Sequence, residues 1–355
     1  MRIVAAMSGG VDSSVAAALL AEAGHDVVGL SMQLYDQRES PGAFGSCCSL
    51  DDLQDARRAA AAAGFPHYIV NLEREFQDAV VSNFVSEYAA GRTPIPCVHC
   101  NADLKFSTLL DRATGLGAAA VATGHYARAR FDEDARRFRL LRGADADKDQ
   151  SYFLFPLTQA QLAHALFPVG HLTKAEVRAE AARLGLAVAD KPDSHEICFV
   201  PDRDAAGFVE RRLPAGPAGG EVVDSGGRVL ARHRGVHRFT VGQRRGLGVS
   251  SAEPLYVLRL EPAEARVVVG PRQELGGLTL EAREVNWIAG APPDGPRRAT
   301  ARIRHRHRDA PATITPTGAT TARVDFDEPQ PAIAPGQAVV FYEGDDVLGG
   351  GWIVS

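Results

Sequence analysis

The chain opens on an apolar run, RIVAAM at 2–7, and after a short stretch of small polar residues continues as VDSSVAAALLAEAG at 11–24. Val11, Val15, Ala18, Leu19 and Glu22 recur at helical spacing, and Gly24 is a stop signal. The pattern therefore predicts a buried strand over 2–7 and a helix over 11–24. The alternation then repeats. VVGLSM (27–32) predicts a second strand, and SLDDLQDARRAAAAAG (49–64) a helix with Ser49 as its N-cap. HYIVNL (67–72) predicts a third strand, and AAAVAT (118–123) a fourth, after a helix from about 103 to 114. Strands and helices in turn predict an α/β unit whose parallel sheet is wrapped by helices, with ligands bound beyond the carboxyl ends of the strands. TKAE at 173–176 has the form of a capping box opening a further helix, and RFDEDARRFRLL at 130–141 reads as a charged, solvent-facing hairpin.

After about residue 200 the period changes from helical to alternating. LPAGPAGGEVVDSGGRVL is rich in Gly and Pro and reads as a linker running into turns. Beyond it, LYVLRL, RVVVG, ATARIRHRH and AVVFYE are short β-rich runs separated by turn residues, with no long helical pattern. The expected division is 1–200 for the α/β unit, 201–277 for a small β-rich middle module and 278–355 for a C-terminal β-barrel. A chain of 355 residues is long enough for this.

Composition narrows the classes. A 45% hydrophobic and 23% charged chain is ordinary for a globular protein. Its apolar runs fall well short of a membrane span, and no basic-then-apolar leader opens it, so no membrane partner and a cytoplasmic location are expected. The net charge of −5 by itself argues weakly against nucleic acid. Its distribution argues the other way: Arg228 to Arg308 holds 16 Arg and no Lys against 7 Asp and Glu. A local excess of that size points to one anionic partner rather than a generally adhesive surface. Within it, RIRHRHR read as a strand would put Arg302, Arg304, Arg306 and Arg308 on one face, opposite His305 and His307, a ladder suited to phosphates.

SGGVDSS at 8–14 sits between the first strand and the first helix and has the look of a phosphate cradle without a lysine. Gly9 and Gly10 permit close backbone approach, Ser8, Ser13 and Ser14 supply hydroxyls, and the helix start offers N–H groups to an anion. Asp12 could hold Mg²⁺ against phosphate oxygens. A Walker loop needs its lysine because the γ-phosphoryl moves. A loop lacking one suits gripping pyrophosphate as a leaving group, with ATP split between its α- and β-phosphates. Five cysteines, Cys47, Cys48, Cys97, Cys100 and Cys198, are too few for a disulfide scaffold in a chain of this length. The C-x-x-C of TPIPCVHCNADLKF (93–106) and the Cys of DSHEICFV (193–200) are compatible with several chemistries. These are a thiol pair, a zinc site completed by His99 or His125, or a three-thiolate [4Fe-4S] cluster through Cys97, Cys100 and Cys198. Adjacent Cys47 and Cys48 cannot easily serve one site and read as bystanders.

The loop resembles that of the N-type ATP pyrophosphatases. Together with CCSLDDLQDARRAA, CVHCNADLKF, ATGHYAR, KDQSYFLF, DSHEICFV and FTVGQRRGLGV, in order along nearly the whole chain, it resembles the tRNA-specific 2-thiouridylase (MnmA) family. The resemblance implies a PP-loop fold (adenine nucleotide alpha hydrolase-like) followed by the two β units. It also implies ATP-dependent 2-thiolation of the wobble uridine, U34, in the anticodon stem-loops of tRNAs for Lys, Glu and Gln, with sulfur from an upstream persulfide donor. Ala6, Met7, Ser8, Gly9, Gly10, Val11, Asp12, Ser13, Met32 and Gly124 then match ATP-binding positions. Cys100 matches the nucleophile and Cys198 the persulfide carrier. His125, Lys148, Asp149, Gln150, Arg304, His305 and Gln337 match tRNA contacts, and Ile95, Pro96 and Cys97 the stretch beside the target base. The family usually has Asn-Pro-Asp or Asn-Pro-Cys at that stretch, so here position 95 can meet a base only through backbone and packing. Two rival readings remain at this point: the same thiolation carried by the iron–sulfur cluster, or a PP-loop synthetase that adenylates a small molecule.

Overall fold

The computed structural model describes residues 1–35, 50–193, 197–200, 202–213, 216 and 218–354. Cys47, Cys48 and the expected N-cap Ser49 lie outside the described residues. From the N-terminus, β1 (Arg2–Ala6) leads into α1 (Val11–Glu22), β2 (Asp26–Gln33), α2 (Leu50–Ala63) and β3 (His67–Asn71). α1 stops where expected, with Gly24 in the left-handed region at φ +80° and its N–H on the Ala21 carbonyl. A helical stretch absent from the sequence expectation comes next: α3 (Glu73–Phe76), a π-helical turn over Gln77–Val81, and α4 (Ser82–Ala89). The helix expected at 103–114 begins earlier, as α5 (Pro96–His99), continues as a π-helical segment over Cys100–Thr108, and ends as α6 (Leu109–Gly115). Pro96 explains the early start, because a proline in the first turn forfeits no helical hydrogen bond. β4 (Ala120–Ala122), a hairpin of β5 (Ala127–Asp132) and β6 (Arg137–Arg142), α7 (Gln159–Leu162), β7 (Ala165–Leu166) and α8 (Lys174–Arg183) complete the α/β part.

The first sheet has the order β3-β2-β1-β4-β7, with every pairing parallel. Strand order reverses between β1 and β4, so their carboxyl ends border the crevice where such sheets bind ligands. Alanine content decides how closely the helices approach. Val15, Ala16 and Ala17 of α1 share one core cluster with Ala56, Ala59 and Ala60 of α2 and with Val177 and Ala181 of α8. The first turn of α8 is thereby held beside the first turn of α1, which matters below.

Past α9 (Ala205–Glu210), the strands β8 (Gly220–Asp224), β9 (Val229–His233), β10 (Tyr256–Glu261) and β11 (Arg266–Gly270) form a separate sheet in the order β10-β11-β8-β9. The remaining strands are β12 (Gly276–Trp287), β13 (Arg297–Arg302), β14 (Ala310–Gly318), β15 (Thr321–Pro331), β16 (Ala338–Glu343) and β17 (Asp346–Ile353). They follow the order β12-β15-β14-β13-β16-β17, and β17 pairs back onto β12, so six strands close into a barrel. The long β12 serves both neighbours because it bends at Glu284, whose φ is +50°, next to the register shift between Arg283 and Asn286.

Two sequence expectations are corrected here. The hairpin at 130–141 is not solvent-facing throughout: Leu140 is fully buried, Leu141 pairs with Asp346 of β17, and Arg139 is ion-paired to Asp346. A piece of the α/β part is thus stitched onto the barrel. The four-arginine ladder does not form either, because β13 ends at Arg302 and the chain turns over 303–307. Arg302 faces inward to Asp309 and Asp149, while Arg304 donates to the Pro331 carbonyl. Neighbouring positions share one face only while the chain stays extended, and the turn removes that condition.

Candidate active site

The loop after β1 is shaped by its own hydroxyls. Ser13 and Ser14 both donate to the Gly10 carbonyl, at 3.1 and 2.9 Å, and the Ser8 N–H donates to Ser13 Oγ at 3.1 Å. No side chain caps the start of α1, which leaves its first N–H groups for a ligand. The two glycines differ in what they do. Gly10 is extended, at φ −87°, a conformation open to any residue. Gly9 is left-handed, at φ +75°, and a Cβ there would sit 2.1 Å from the Asp52 carbonyl oxygen. Gly124, in the loop after β4, packs against the same turn from the other side: its Cβ would lie 2.5 Å from the Ser13 nitrogen. The β1 and β4 loops therefore meet backbone to backbone at the switch point of the sheet. Met7 and Met32 are buried beneath them, and Ala6 is half-buried.

Two residues to which sequence reading gave no role in the site hold Asp12. Lys174 Nζ lies 2.7 and 2.9 Å from its two carboxylate oxygens, and the Tyr126 hydroxyl donates to Oδ1 at 2.7 Å. Burial and the Asp12 charge push the Tyr126 hydroxyl far above its ordinary value, so it stays a donor. Lys174 also pairs with Asp193 at 2.7 Å, and Asp193 with Lys148 at 2.8 Å. Lys191 reaches the Gly9 carbonyl at 3.0 Å and bridges Asp52 and Asp55, bracing the loop against α2. The cations missing from the loop are thus supplied from residues 174 and 191. The TKAE signal did mark the spot: Thr173 and Glu176 form the expected capping box and fix where α8 begins. Thr173→Ala is expected to lower stability by about 1 kcal/mol in a urea titration, the usual worth of an N-cap.

Burial alone would raise the Asp193 carboxyl, but hydrogen bonds from Lys148 and Lys174 outweigh it and hold the group down at about 2. A depressed carboxyl contributes its full stability above its unfolded value of about 4 and loses it as pH falls toward the folded value. The stability gap between wild type and Asp193→Asn, followed by denaturant titration, is therefore expected to be constant above about pH 5 and to shrink between pH 4 and 2.

Cys100 opens the π-helical segment, and Cys198 lies far along the chain, yet both are half-buried against the one core cluster that also holds Met32, Phe84 and Phe199. Cys97, a turn before Cys100, is exposed. Among the described residues, no three His, Cys, Asp or Glu side chains converge as a metal-ligand set. Cys97, Cys100 and Cys198 are accordingly not gathered into one ligand set in this structure. In this structure both Asp12 carboxylate oxygens accept from Lys174.

The residues expected to touch tRNA fall into two groups. The segment leading into Ile95, Pro96 and Cys97 meets the barrel loop: the Thr93 N–H donates to the Pro335 carbonyl, and Gln337 Nε2 donates to the Thr93 carbonyl at 2.9 Å. His99 stacks on Trp352 of β17, centroids 5.0 Å apart, beside Ile95 in a groove that also includes Arg283. Arg304 and His305 lie on the turn after β13, where His305 packs on Phe153, and Lys148 is half-buried. Asp149 and His125 are buried, as is Pro96. Asp149 accepts from the Gly143 and Ser151 N–H groups and pairs with Arg142 and Arg302, and Gln150 Oε1 accepts from the Tyr126 N–H. His125 is held well below its ordinary value by burial and by Lys105, and bonds Thr123 Oγ1 through Nδ1. In this conformation the side chains of Asp149 and His125 are hydrogen-bonded within the protein. A cavity of about 440 Å³ near Arg128, Phe167 and His171 contains none of the expected residues.

An α/β domain with an uncapped phosphate loop at its switch point, two cysteines on one of its core clusters, a small β domain and a closed barrel define the class: a PP-loop enzyme carrying two β appendages. Three family models match consecutive stretches of the chain. The tRNA methyl transferase HUP domain matches residues 1–202, the tRNA methyl transferase PRC-barrel domain 206–271, and the aminomethyltransferase beta-barrel domain 278–353. The tRNA-specific 2-thiouridylase MnmA of Geotalea uraniireducens is 54% identical over 356 residues, covering 99% of this chain and 94% of that protein. The protein of the same name from Solibacter usitatus is 54% identical over 367 residues, with 99% and 98% covered. The chain belongs to the tRNA-specific 2-thiouridylase MnmA family.

Proposed function

We propose that the protein is a tRNA-uridine 2-sulfurtransferase that adenylates the C2 oxygen of the wobble uridine, U34, with ATP and replaces that oxygen with sulfur. The observation that carries the reading is the uncapped loop at Ser8–Ser14 at the switch point of the first sheet, together with Cys100 and Cys198 on one core cluster of the same domain, in a chain of this family. A uridine C2 oxygen is a poor leaving group, and its attack on the α-phosphate of ATP makes AMP the leaving group instead. Gly9, the α1 start and Gly124 grip the phosphates, and Ala6, Met7 and Met32 border the nucleotide. Magnesium arrives as the counter-ion of ATP and belongs to the substrate.

Sulfur enters as a persulfide on Cys198, loaded by an upstream donor. The Cys100 thiolate attacks Cys198 Sγ, and the bond from Cys198 to the outer sulfur breaks. The electron pair stays on that outer sulfur, which becomes bonded to C2 as AMP departs. Cys100 and Cys198 are left as a disulfide, and an external thiol reductant resets them. Both cysteines lying against one core supports this relay, whereas the lack of a converged ligand set does not support the cluster alternative. The groove between Ile95, His99 and Trp352 is a reasonable place for a base drawn out of the anticodon stack, since single-stranded bases are recognised by stacking. Selection of tRNAs for Lys, Glu and Gln, and residence in the cytoplasm, are part of the same proposal.

The experiment is product analysis with ATP labelled in the α-phosphate. Labelled AMP formed only when unmodified tRNA of those three types is present is the expected result. ADP, or AMP formed equally without RNA, would assign the loop to a different substrate.

A further inference from the structure

We infer that Lys174 is the phosphate-binding cation of the nucleotide site, parked on Asp12 and Asp193 until a triphosphate draws its ammonium onto the β- and γ-phosphates. The inference rests on the adenylation reading above and adds a residue that the loop motif does not contain.

Position is the first argument. Lys174 Nζ sits 2.7 Å from an oxygen of Asp12, and Asp12 is the second residue of α1, where the exposed N–H groups would receive a phosphate. Only 13% of the Lys174 side chain is exposed, so its ammonium is directed into this crevice rather than into solvent. Local helix stability does not account for it: Lys174 is the first residue of α8, where a cation opposes the helix dipole.

Residue choice is the second. The chain contains 39 Lys and Arg, of which only positions 105, 148, 174 and 191 are lysine. Three of these four make ion pairs around the loop. Arginine serves fixed, two-pronged pairs, whereas a compact ammonium on a flexible stem can exchange one oxygen partner for another. Lys191 is not the mobile one, because its three acceptors, the Gly9 carbonyl, Asp52 and Asp55, brace the loop itself.

The third argument is what stays behind. If Lys174 turns to a phosphate, Asp193 keeps Lys148 at 2.8 Å and Arg178 at 3.5 Å, and Asp12 keeps the Tyr126 hydroxyl. Neither carboxylate is orphaned, and Asp12 becomes available to the magnesium that travels with the nucleotide. A loop without its own lysine thereby has a cation that is withdrawn when the site is empty.

The test is equilibrium binding of ATP, pyrophosphate and AMP to the full-length chain and to Lys174→Met, by calorimetry, with tRNA-dependent AMP release measured alongside. The variant is expected to bind ATP and pyrophosphate at least 30-fold more weakly, to bind AMP within twofold of wild type, and to lose more than 100-fold in AMP release. Equal losses for AMP and ATP would mean a merely structural role and overturn the inference. Unchanged ATP and pyrophosphate affinity would overturn it as well. Should the Met variant fail to fold, Lys174→Gln carries the same comparison, since its amide still donates to Asp12. A wild-type chain that binds no ATP would remove the adenylation reading and this inference together, whereas intact wild-type binding retained in the variant removes the inference alone.

Discussion

Cys198→Ser is expected to abolish tRNA thiolation, by at least about 10³-fold, while leaving tRNA-dependent AMP and pyrophosphate formation measurable in a single turnover. A serine hydroxyl cannot carry a persulfide, so no sulfur reaches C2, but the loop's own shaping contacts come from Ser8, Gly10, Ser13 and Ser14. Cys198 is only half-buried against its core cluster, and the exchange of sulfur for oxygen there costs about 1 kcal/mol of stability or less. A loss of sulfur transfer with folding and adenylation intact is therefore the signature of the relay. Gel retardation of thiolated tRNA on a mercury-containing gel, alongside pyrophosphate release, separates the two half-reactions. Thiolation at an unchanged rate would sink the two-cysteine scheme.

Gly9→Ala is the second large effect. The left-handed backbone costs an alanine about 1–2 kcal/mol, and the new methyl would overlap the Asp52 carbonyl, a further cost of about 1–3 kcal/mol. The strain falls on the loop and on the start of α2, where relief requires the loop to move away from the phosphates. A rise in the Kd for ATP of about 100-fold or more corresponds to about 2.7 kcal/mol, within that range. Gly10→Ala is the matched control. Its backbone is extended, and its Cβ would meet only the Ser8 hydroxyl, at 3.5 Å, so its stability is expected to stay within about 0.5 kcal/mol. Equal ATP affinity in the two variants would mean that close approach at Gly9 does not organise the nucleotide site.

The two glycines also show where sequence reading runs out. Adjacent in the motif, they are equivalent on paper, and only the folded loop, left-handed at Gly9 and packed there against α2, separates a glycine that must be glycine from one that need not be. The cysteines behave likewise. Spacing offered a zinc site, a cluster or a thiol pair, and the fold then set Cys100 and Cys198 on one core while leaving Cys97 exposed. For the arginines, the run RIRHRHR carried a strand signal that the turn after Arg302 overrode, since Arg302 finds Asp149 and Asp309 in the interior. The helical stretch from 73 to 89 went unread because its apolar residues are interrupted by a π-helical turn, which shifts them off the period of a regular helix.

By itself the sequence determined the parallel α/β class, the change to β structure after residue 200, the phosphate loop and, through its motifs in order, the family. Those features rest on short-range periodicity and on residues close together in the chain. The tertiary structure alone decided which charges meet. Lys174 and Lys191 reach a loop more than a hundred and fifty residues away because α8 packs on α1 and because the chain after α8 returns beside α2. It also sent Asp149 and His125 inward and joined the hairpin of the first domain to the closed barrel. Ion pairing and burial depend on distance in space, and a one-dimensional pattern holds that distance only for neighbours.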